Sequence, residues 1–109
     1  MEDRVEISLL MDLYGPLLTE KQYRIMELYY NEDLSLAEIA ELNNTSRQAI
    51  HDLIKRCYKQ FLSYEEKLKL LKRSFEQEVI INNLLNELKE KYSITKEDYE
   101  KYKSILEEL

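Results

Sequence analysis

The sequence predicts an all-α protein, and three observations support that fold class. Only one of the 109 residues is Gly and only one is Pro, which leaves little of the turn chemistry that a sheet needs. Leu, Glu, Lys and Ile are abundant, and this composition favours helix. Apolar residues also recur every three or four positions along most of the chain, as they do on the buried face of a helix.

The length indicates one domain, or one domain with an extension. A chain of this size buries roughly 65% of the surface that its unfolded form exposes, so it can form a stable core without disulfides or a structural metal. A single cysteine, Cys57, excludes an internal disulfide and a multi-cysteine metal site, and it suits a reducing compartment. The N-terminal stretch has no signal-peptide pattern, and no stretch reaches the ~20 apolar residues that cross a bilayer. We therefore expect a cytoplasmic protein.

Three short helices are predicted before residue 46. The first covers about residues 3–14, and Gly15-Pro16 ends it because Pro cannot continue the hydrogen-bond ladder. Thr19 and Gln22 form a capping box that begins a second helix, which runs to about Tyr30. Another capping box at SLAE opens a short third helix, and NNTS is the turn after it. The apolar positions of the first helix are Val5, Leu9, Leu10, Leu13 and Tyr14.

A long fourth helix is predicted from about Ser46, because Thr45 and Gln48 form a third capping box. Its apolar positions alternate steps of four and three residues over more than three heptads. They are Ile50, Ile54, Cys57, Phe61, Tyr64, Leu68, Leu71 and Phe75. Ser63 and Glu66 are an alternative start for a new helix, so a break near residue 63 stays open.

The remaining chain predicts a helical C-terminal extension, with a last helix capped by Thr95. We expect a helix-turn-helix domain over residues 1–75 and an extension over residues 76–109 that packs back or dimerises. A fourth helix of ~26 residues spans about 39 Å, which is more than so small a bundle covers. Its distal half therefore needs the tail helices or a second chain as cover. A homodimer is the favoured expectation, since two-fold symmetry is the commonest in oligomers.

The net charge of −6 is unevenly distributed. Residues 1–34 carry three basic and eight acidic groups, residues 35–73 carry eight and five, and residues 74–109 carry five and nine. The three segments therefore have charges of −5, +3 and −4. At physiological salt, acidic groups more than ~8 Å from a bound phosphate are largely screened from it. They still slow the long-range association of a negatively charged ligand. Weak or partner-assisted binding to nucleic acid is compatible with this pattern.

The stretch SLAEIAELNNTSRQAIHDLIKRC has the pattern of a helix-turn-helix motif. Ala40 is small enough for the second helix to cross there, and Asn44 tolerates the left-handed turn conformation. Asn43 departs from the pattern, because a large apolar residue is usual at that position. Side chains that read base edges or phosphates lie on the predicted exposed face. These candidate nucleic-acid contacts are Ser46, Arg47, Gln48, His51, Lys55 and Lys59.

The segment from LTEKQ to IKRC resembles region four of bacterial sigma factors, which reads the upstream promoter element. With MDLYGPLLTEKQ before it and YEEKLKLL after it, the chain resembles the YlxM family more closely. That resemblance spans about residues 5–75 and is densest in LTEKQ and SRQAI. The YlxM family consists of small helical proteins that gene neighbourhood links to the signal recognition particle. The resemblance implies the same kind of protein and the same link for this chain. It also implies that any nucleic-acid contacts lie at Ser46, Arg47 and Gln48.

The sequence therefore predicts a non-enzymatic nucleic-acid-binding accessory or regulatory factor, which the resemblance to the YlxM family links to the signal recognition particle pathway. A DNA-binding transcription regulator and a protein-interaction module that no longer binds nucleic acid remain the alternatives. The pattern does not separate DNA-binding from RNA-binding. We expect no cofactor and no metal, since His51 is the only histidine and further ligands at suitable spacing are not evident. The predicted place of Cys57 is the core.

Overall fold

The structure is a computed structural model that describes residues 3–109. Within that range every regular element is helical, so the all-α prediction is confirmed. The elements are α1 (Arg4–Tyr14), a 3-10 turn (Gly15–Leu17), α2 (Glu20–Tyr30), α3 (Leu36–Leu42), α4 (Arg47–Leu68), α5 (Leu70–Tyr92) and α6 (Lys96–Glu107).

The chain divides into two compact units, Met1–Leu71 and Lys72–Leu109. The first unit contains α1 to α4 and the helix-turn-helix. The second contains most of α5 and all of α6. The assignment of residues 1–75 to a helix-turn-helix domain and of residues 76–109 to an extension stays a proposal.

The core of the first unit forms around one face of α4. Ile50, Ile54, Cys57 and Phe61 follow the four-three spacing and are buried, as the sequence predicted. α1, α2 and α3 each contact α4.

Burial also raises the pKa of the Cys57 thiol above its ordinary value, with an opposing contribution from the charge of Arg56. Cys57 is therefore a core residue, as predicted.

The predicted inner face of α1 is partly wrong. Leu10 and Tyr14 are buried, but the other buried positions are Ile7 and Met11, while Val5 is 67% exposed. Once Leu10 and Tyr14 point inward, Ile7 and Met11 lie beside them at spacings of three and four residues. Val5 lies five residues before Leu10 and falls on another side of the helix, because five residues exceed one turn by about 140°.

Capping at the start of α2 follows the sequence prediction. The Thr19 hydroxyl accepts from the backbone N–H of Gln22 at 3.2 Å, and the Gln22 side chain accepts from the backbone N–H of Thr19 at 3.0 Å.

Gly15 follows the end of α1, and a Cβ there would lie 2.6 Å from the ring atom Cε2 of Tyr23. The ring therefore packs closely against this turn because residue 15 has no side chain.

The fourth helix is continuous past residue 63 and ends at Leu68, so the alternative helix start at Ser63 is wrong. Lys69 takes a left-handed conformation with φ 56° and separates α4 from α5. The single long helix predicted from about Ser46, with apolar positions out to Phe75, is thus two helices.

A buried tyrosine and a carboxylate hold this junction. The Tyr14 hydroxyl donates to Oε1 of Glu65 at 2.6 Å. The same carboxylate oxygen accepts from the backbone N–H of Leu71 at 2.9 Å, and the Tyr14 hydroxyl accepts from that of Leu70 at 3.2 Å. The first backbone N–H groups of a helix have no partner within the helix. Tyr14 and Glu65 therefore supply the acceptors that let α5 begin at Leu70.

The distal half of the predicted fourth helix, which spans the end of α4 and the start of α5, needs less external cover than the sequence suggested. Tyr64 and Leu71 pack against the core of the first unit and are half-buried, and the rings of Tyr14 and Tyr64 lie 5.9 Å apart. Leu68 and Phe75 remain 45% and 50% exposed. The expectation that all four of these side chains lack cover from residues 1–45 is therefore wrong for Tyr64 and Leu71.

The second unit has a small core. In α5 only Ile81 and Leu85 are buried, and no side chain of α6 is fully buried. The Thr95 hydroxyl accepts from the backbone N–H of Asp98 at 3.0 Å, which confirms the predicted cap of the last helix. A hydrogen bond from the Tyr99 hydroxyl to Oδ1 of Asn86, at 3.2 Å, joins the two helices.

Replacing Tyr14 by Phe tests the junction. This change removes one donor to Glu65 and the acceptor for the Leu70 N–H while it keeps the buried ring. We expect the free energy of unfolding to fall by about 1–3 kcal/mol, since hydrogen bonds to charged groups lie in that range. Urea unfolding followed by circular dichroism measures the change.

The matched control for that prediction is Tyr64→Phe. Tyr64 contacts the same ring, and no hydrogen bond of its hydroxyl to the described residues is seen. We expect this variant to unfold close to the wild type. Equal urea midpoints for the two variants would show that the Tyr14 hydroxyl does not stabilise the junction.

Candidate nucleic-acid interface

α3 and α4 form the predicted helix-turn-helix. The Ser35 hydroxyl accepts from the backbone N–H of Glu38 at 3.1 Å, and the Glu38 carboxylate accepts from that of Ser35 at 3.0 Å. These bonds complete the predicted capping box, and they lower the pKa of Glu38 below its ordinary value. Ile39 and Ala40 are buried, so the short α3 lies against the core with its orientation fixed.

The turn between the helices is built on two asparagines. Asn44 has φ 52°, which confirms the left-handed conformation predicted for it. Asn43 is the C-cap of α3, and its side-chain Nδ2 donates to the carbonyl of Ile39 at 2.8 Å. The polar side chain at this position thus adds a second hydrogen bond to a carbonyl that also accepts from the backbone N–H of Asn43 at 3.1 Å.

The start of α4 is one residue later than the predicted capping box. Ser46 is the N-cap, and its hydroxyl accepts from the backbone N–H of Ala49 at 3.1 Å. The Gln48 side chain does not reach back to Thr45. It donates to Oδ1 of Asp52 at 2.9 Å instead. The predicted capping box of Thr45 and Gln48 is therefore wrong. The backbone N–H of Thr45, which the Gln48 side chain would accept in such a box, donates to the carbonyl of Ala40 at 3.0 Å.

The six candidate contact residues all lie at the start or along the exposed side of α4. They span about 20 Å of helix, since thirteen residue steps of 1.5 Å separate the first from the last. Each of them is exposed, and they are Ser46, Arg47, Gln48, His51, Lys55 and Lys59. The structure therefore brings all six side chains onto one accessible helix.

Three of these side chains are less available than their exposure suggests. The Ser46 hydroxyl already accepts the capping bond, although its own proton can still be donated. Gln48 is bonded to Asp52, and Nδ1 of His51 lies 3.5 Å from the same carboxylate. Arg47, Lys55 and Lys59 make no ion pair with the described residues. These three cations are therefore the strongest candidates for phosphate contact.

The last basic residues of the segment 35–73 lie outside the fourth helix. Lys69, Lys72 and Arg73 lie beyond Leu68 and do not belong to α4. Within residues 46–60 four basic residues face one acidic residue, Asp52, which leaves a local charge of +3. The positive potential thus lies at the start and middle of α4, beside the turn.

A groove beside α4 was not identified from the sequence. Its cavity of about 160 Å³ is formed by side chains of α2, α3 and α4, and His51 and Lys55 are among them. The other lining residues are Tyr29, Tyr30, Leu36, Ile54 and Tyr58. Three tyrosines on apolar faces near two polar residues were the available signal. Their spacing indicated only a core or its rim, because periodicity does not show where neighbouring helices leave a gap.

The described residues 3–109 contain neither a metal-ligand cluster nor a membrane-spanning helix. No group of three or more His, Cys, Asp or Glu side chains in this range is placed to hold a metal ion. No helix among the described residues combines the length and apolar character needed to cross a membrane.

Comparison with known proteins places the chain among small helix-turn-helix proteins. The model of the family UPF0122, described as "Putative helix-turn-helix protein, YlxM / p13 like", matches residues 1–105. A UPF0122 protein of Clostridium botulinum (strain Alaska E43 / Type E3) is 69% identical over 109 residues, which is 100% of both chains. A UPF0122 protein of Clostridium perfringens (strain SM101 / Type A) is 63% identical over 102 residues, covering 94% of this chain and 90% of the relative.

Asn44 tests the turn. Replacing it by Gly is expected to be neutral or slightly stabilising, because Gly enters the left-handed region without a Cβ penalty. Asn44→Val is expected to cost more than ~1 kcal/mol, since a β-branched residue is strained there. Asn31→Val is the control, because Asn31 is an exposed helix C-cap with φ −97°. If Asn44→Val shares the wild-type denaturant midpoint, the turn does not depend on this conformation.

Proposed function

Because the chain belongs to the UPF0122 family of YlxM- and p13-like helix-turn-helix proteins, we propose that it is a non-enzymatic, nucleic-acid-binding regulatory or accessory factor. It acts in the cytoplasm and contacts nucleic acid through the exposed side of α4. The observation that carries the proposal is the group of Arg47, Lys55 and Lys59, three cations without ion pairs to described residues on the second helix of the motif.

The geometry supports recognition by the start of α4. A recognition helix contacts base edges with residues near its N-terminus while its flanking cations bind phosphate. Arg47 is the first residue of α4 and Gln48 the second, and both side-chain types hydrogen-bond to bases. Lys55 and Lys59 follow at distances of about 12 and 18 Å along the axis. The arrangement therefore offers base contacts first and phosphate contacts beyond them.

The charge distribution favours modest affinity. Each phosphate that a protein neutralises contributes to a salt-dependent, sequence-independent affinity. The three cations of the candidate interface supply few such contacts, and the acidic remainder of a chain with net charge −6 opposes approach. Binding is therefore weak or assisted by a partner. The resemblance to YlxM proteins favours signal recognition particle components, and its RNA above all, as that partner.

The alternative functions make different use of the same motif. A DNA-binding transcription regulator would prefer duplex DNA, as region four of sigma factors does. A protein-interaction module would keep the motif only as structure. The unpaired cations of α4 favour nucleic acid over the protein-interaction module, because a purely structural helix does not need them.

We also propose that the chain is a homodimer, with the second unit as the interface. Residues 72–109 make a unit of 38 residues, and units below about 40 residues usually need disulfides, metals or oligomerisation. Only two of its side chains are buried. Its exposed apolar side chains are Phe75, Val79, Ile80, Leu84, Tyr92, Tyr102, Ile105 and Leu109. A second copy offers the same surface across a two-fold axis.

The double substitution of Arg47 and Lys55 by Ala tests the nucleic-acid interface. We expect binding to weaken by ~1–3 kcal/mol for each good contact, with a shallower dependence on salt. The fold should be unaffected, because both side chains are exposed. Titration against signal recognition particle RNA and against mixed-sequence duplex DNA, each at two salt concentrations, measures both effects.

The control for this titration is the double variant Lys21→Ala and Lys67→Ala. It removes the same net charge from exposed positions on α2 and at the far end of α4. Equal losses for the two double variants would mean that net charge, and not this interface, governs binding. If the wild type binds neither nucleic acid, the protein-interaction alternative replaces the proposal.

The homodimer is tested by light scattering across a hundredfold range of protein concentration. We expect a mass near twice the 13.2 kDa of one chain at the highest concentration. Val79→Glu places a charge in the exposed apolar surface of α5 and should shift the mass toward one chain. Ser8→Glu, at an exposed position of α1, is the control and should leave it unchanged. A constant mass of one chain in the wild type refutes the dimer.

A further inference from the structure

The groove beside α4 has aromatic walls and the size of one ring. Tyr29 and Tyr30 of α2 meet edge to face with ring centroids 4.9 Å apart, and Tyr58 of α4 lines the same cavity. The volume of about 160 Å³ is close to the ~150 Å³ of a protein cavity that accepts benzene. Drug-sized ligands need ~300–1,000 Å³. A single six-membered ring therefore matches the cavity.

The remaining lining adds positive charge and hydrogen-bond donors to this apolar space. Leu36 and Ile54 extend the apolar wall, while His51 and Lys55 bring an imidazole and an ammonium group. Flat aromatic rings stack on tyrosine, and an anion beside the ring pairs with lysine. The lining is thus complementary to an aromatic ring that carries a negatively charged group.

A neighbouring depression lies toward the start of α4. It is lined by Leu36, Arg47, Gln48 and His51, so it shares Leu36 and His51 with the first cavity. Arg47, His51 and Lys55 follow one another at intervals of four residues, which places successive donors about 6 Å apart along the helix. The sugar–phosphate backbone attached to such a ring can therefore run beside α4 toward Arg47.

We propose that this groove binds one unpaired pyrimidine nucleotide, with the base among the tyrosines and the adjoining phosphates on Lys55 and Arg47. The inference rests on the proposed nucleic-acid function and narrows it to strands with an unstacked base. A base within a duplex is stacked and paired, and it reaches a pocket only after it leaves the stack. The two fused rings of a purine exceed a cavity of single-ring size. Loops and single strands that contain pyrimidines are therefore preferred over uninterrupted duplex.

The test uses the full chain and labelled hairpins of one stem sequence in fluorescence anisotropy. The RNA loops contain uracil, adenine or abasic spacers, so that all three keep the same phosphates, and a DNA hairpin with a thymine loop separates ribose from deoxyribose. We expect the wild type to bind the uracil loop roughly 5- to 150-fold more tightly than the abasic loop, as one stacked base contributes. The adenine loop should bind more weakly than the uracil loop.

A cavity-filling variant locates the site. Leu36→Trp occupies the groove and should reduce the difference between uracil and abasic loops. Leu42→Trp makes the same change at an exposed position on α3, 65% accessible, and should keep that difference. Thermal unfolding checks that both variants fold, and if Leu36→Trp does not, the loop comparison on the wild type alone decides.

The possible outcomes separate the two proposals. Equal wild-type affinity for uracil and abasic loops overturns the nucleotide pocket but leaves the α4 interface intact. Adenine loops that bind as tightly as uracil loops overturn the preference for pyrimidine. A difference that survives unchanged in Leu36→Trp places the base elsewhere and overturns the assignment of the groove, whatever Leu42→Trp does. No binding to any hairpin overturns the pocket and the proposed function together.

Discussion

Burial of one face of α4 is the constraint on which the rest of the first unit depends. Ile50, Ile54, Cys57 and Phe61 form a continuous apolar stripe, and α1, α2 and α3 all pack against this helix. Each fully buried side chain of this kind contributes about 1.5–3 kcal/mol relative to exposure. Because that stripe must point inward, the rotation of α4 is fixed. The cations on its other side are therefore presented outward without any interaction of their own to orient them.

The same helix is delimited by polar groups at both ends. At its start, Ser46 caps the first turn while Asn44 supplies the left-handed residue before it. At its end, Tyr14 and Glu65 accept the first backbone N–H groups of α5. Tyr14 is also fully buried in the core. Burial and the bond to Glu65 raise the pKa of its phenol, so it stays a hydrogen-bond donor at neutral pH. Polar interactions thus set the length of the helix, and apolar burial sets its rotation.

The apolar stripe of α4 faces the core and its cations face outward. This arrangement explains how a chain with a net negative charge can carry a basic surface for contact with nucleic acid. The charges that determine local potential are those within a screening length of ~8 Å, and on the first half of α4 they are mostly positive. Asp52 is the exception, but it accepts a hydrogen bond from Gln48 and lies near His51. The acidic groups elsewhere limit non-specific attraction. Selectivity must then come from contacts close to α4, such as Arg47 and the tyrosine-lined groove.

The sequence by itself determined the helices of the motif, because capping residues, apolar spacing and a left-handed Asn act within a few residues of one another. It placed Thr19, Ser35, Asn44 and Thr95 correctly, and it named the exposed residues of α4. The tertiary structure decided what depends on distant partners. The junction that follows Leu68 is bonded to Tyr14, which lies 51 residues before Glu65. The groove exists because α2, α3 and α4 leave a gap between their side chains. These side chains are far apart in sequence, so the spacing of apolar residues within one helix does not reveal the gap.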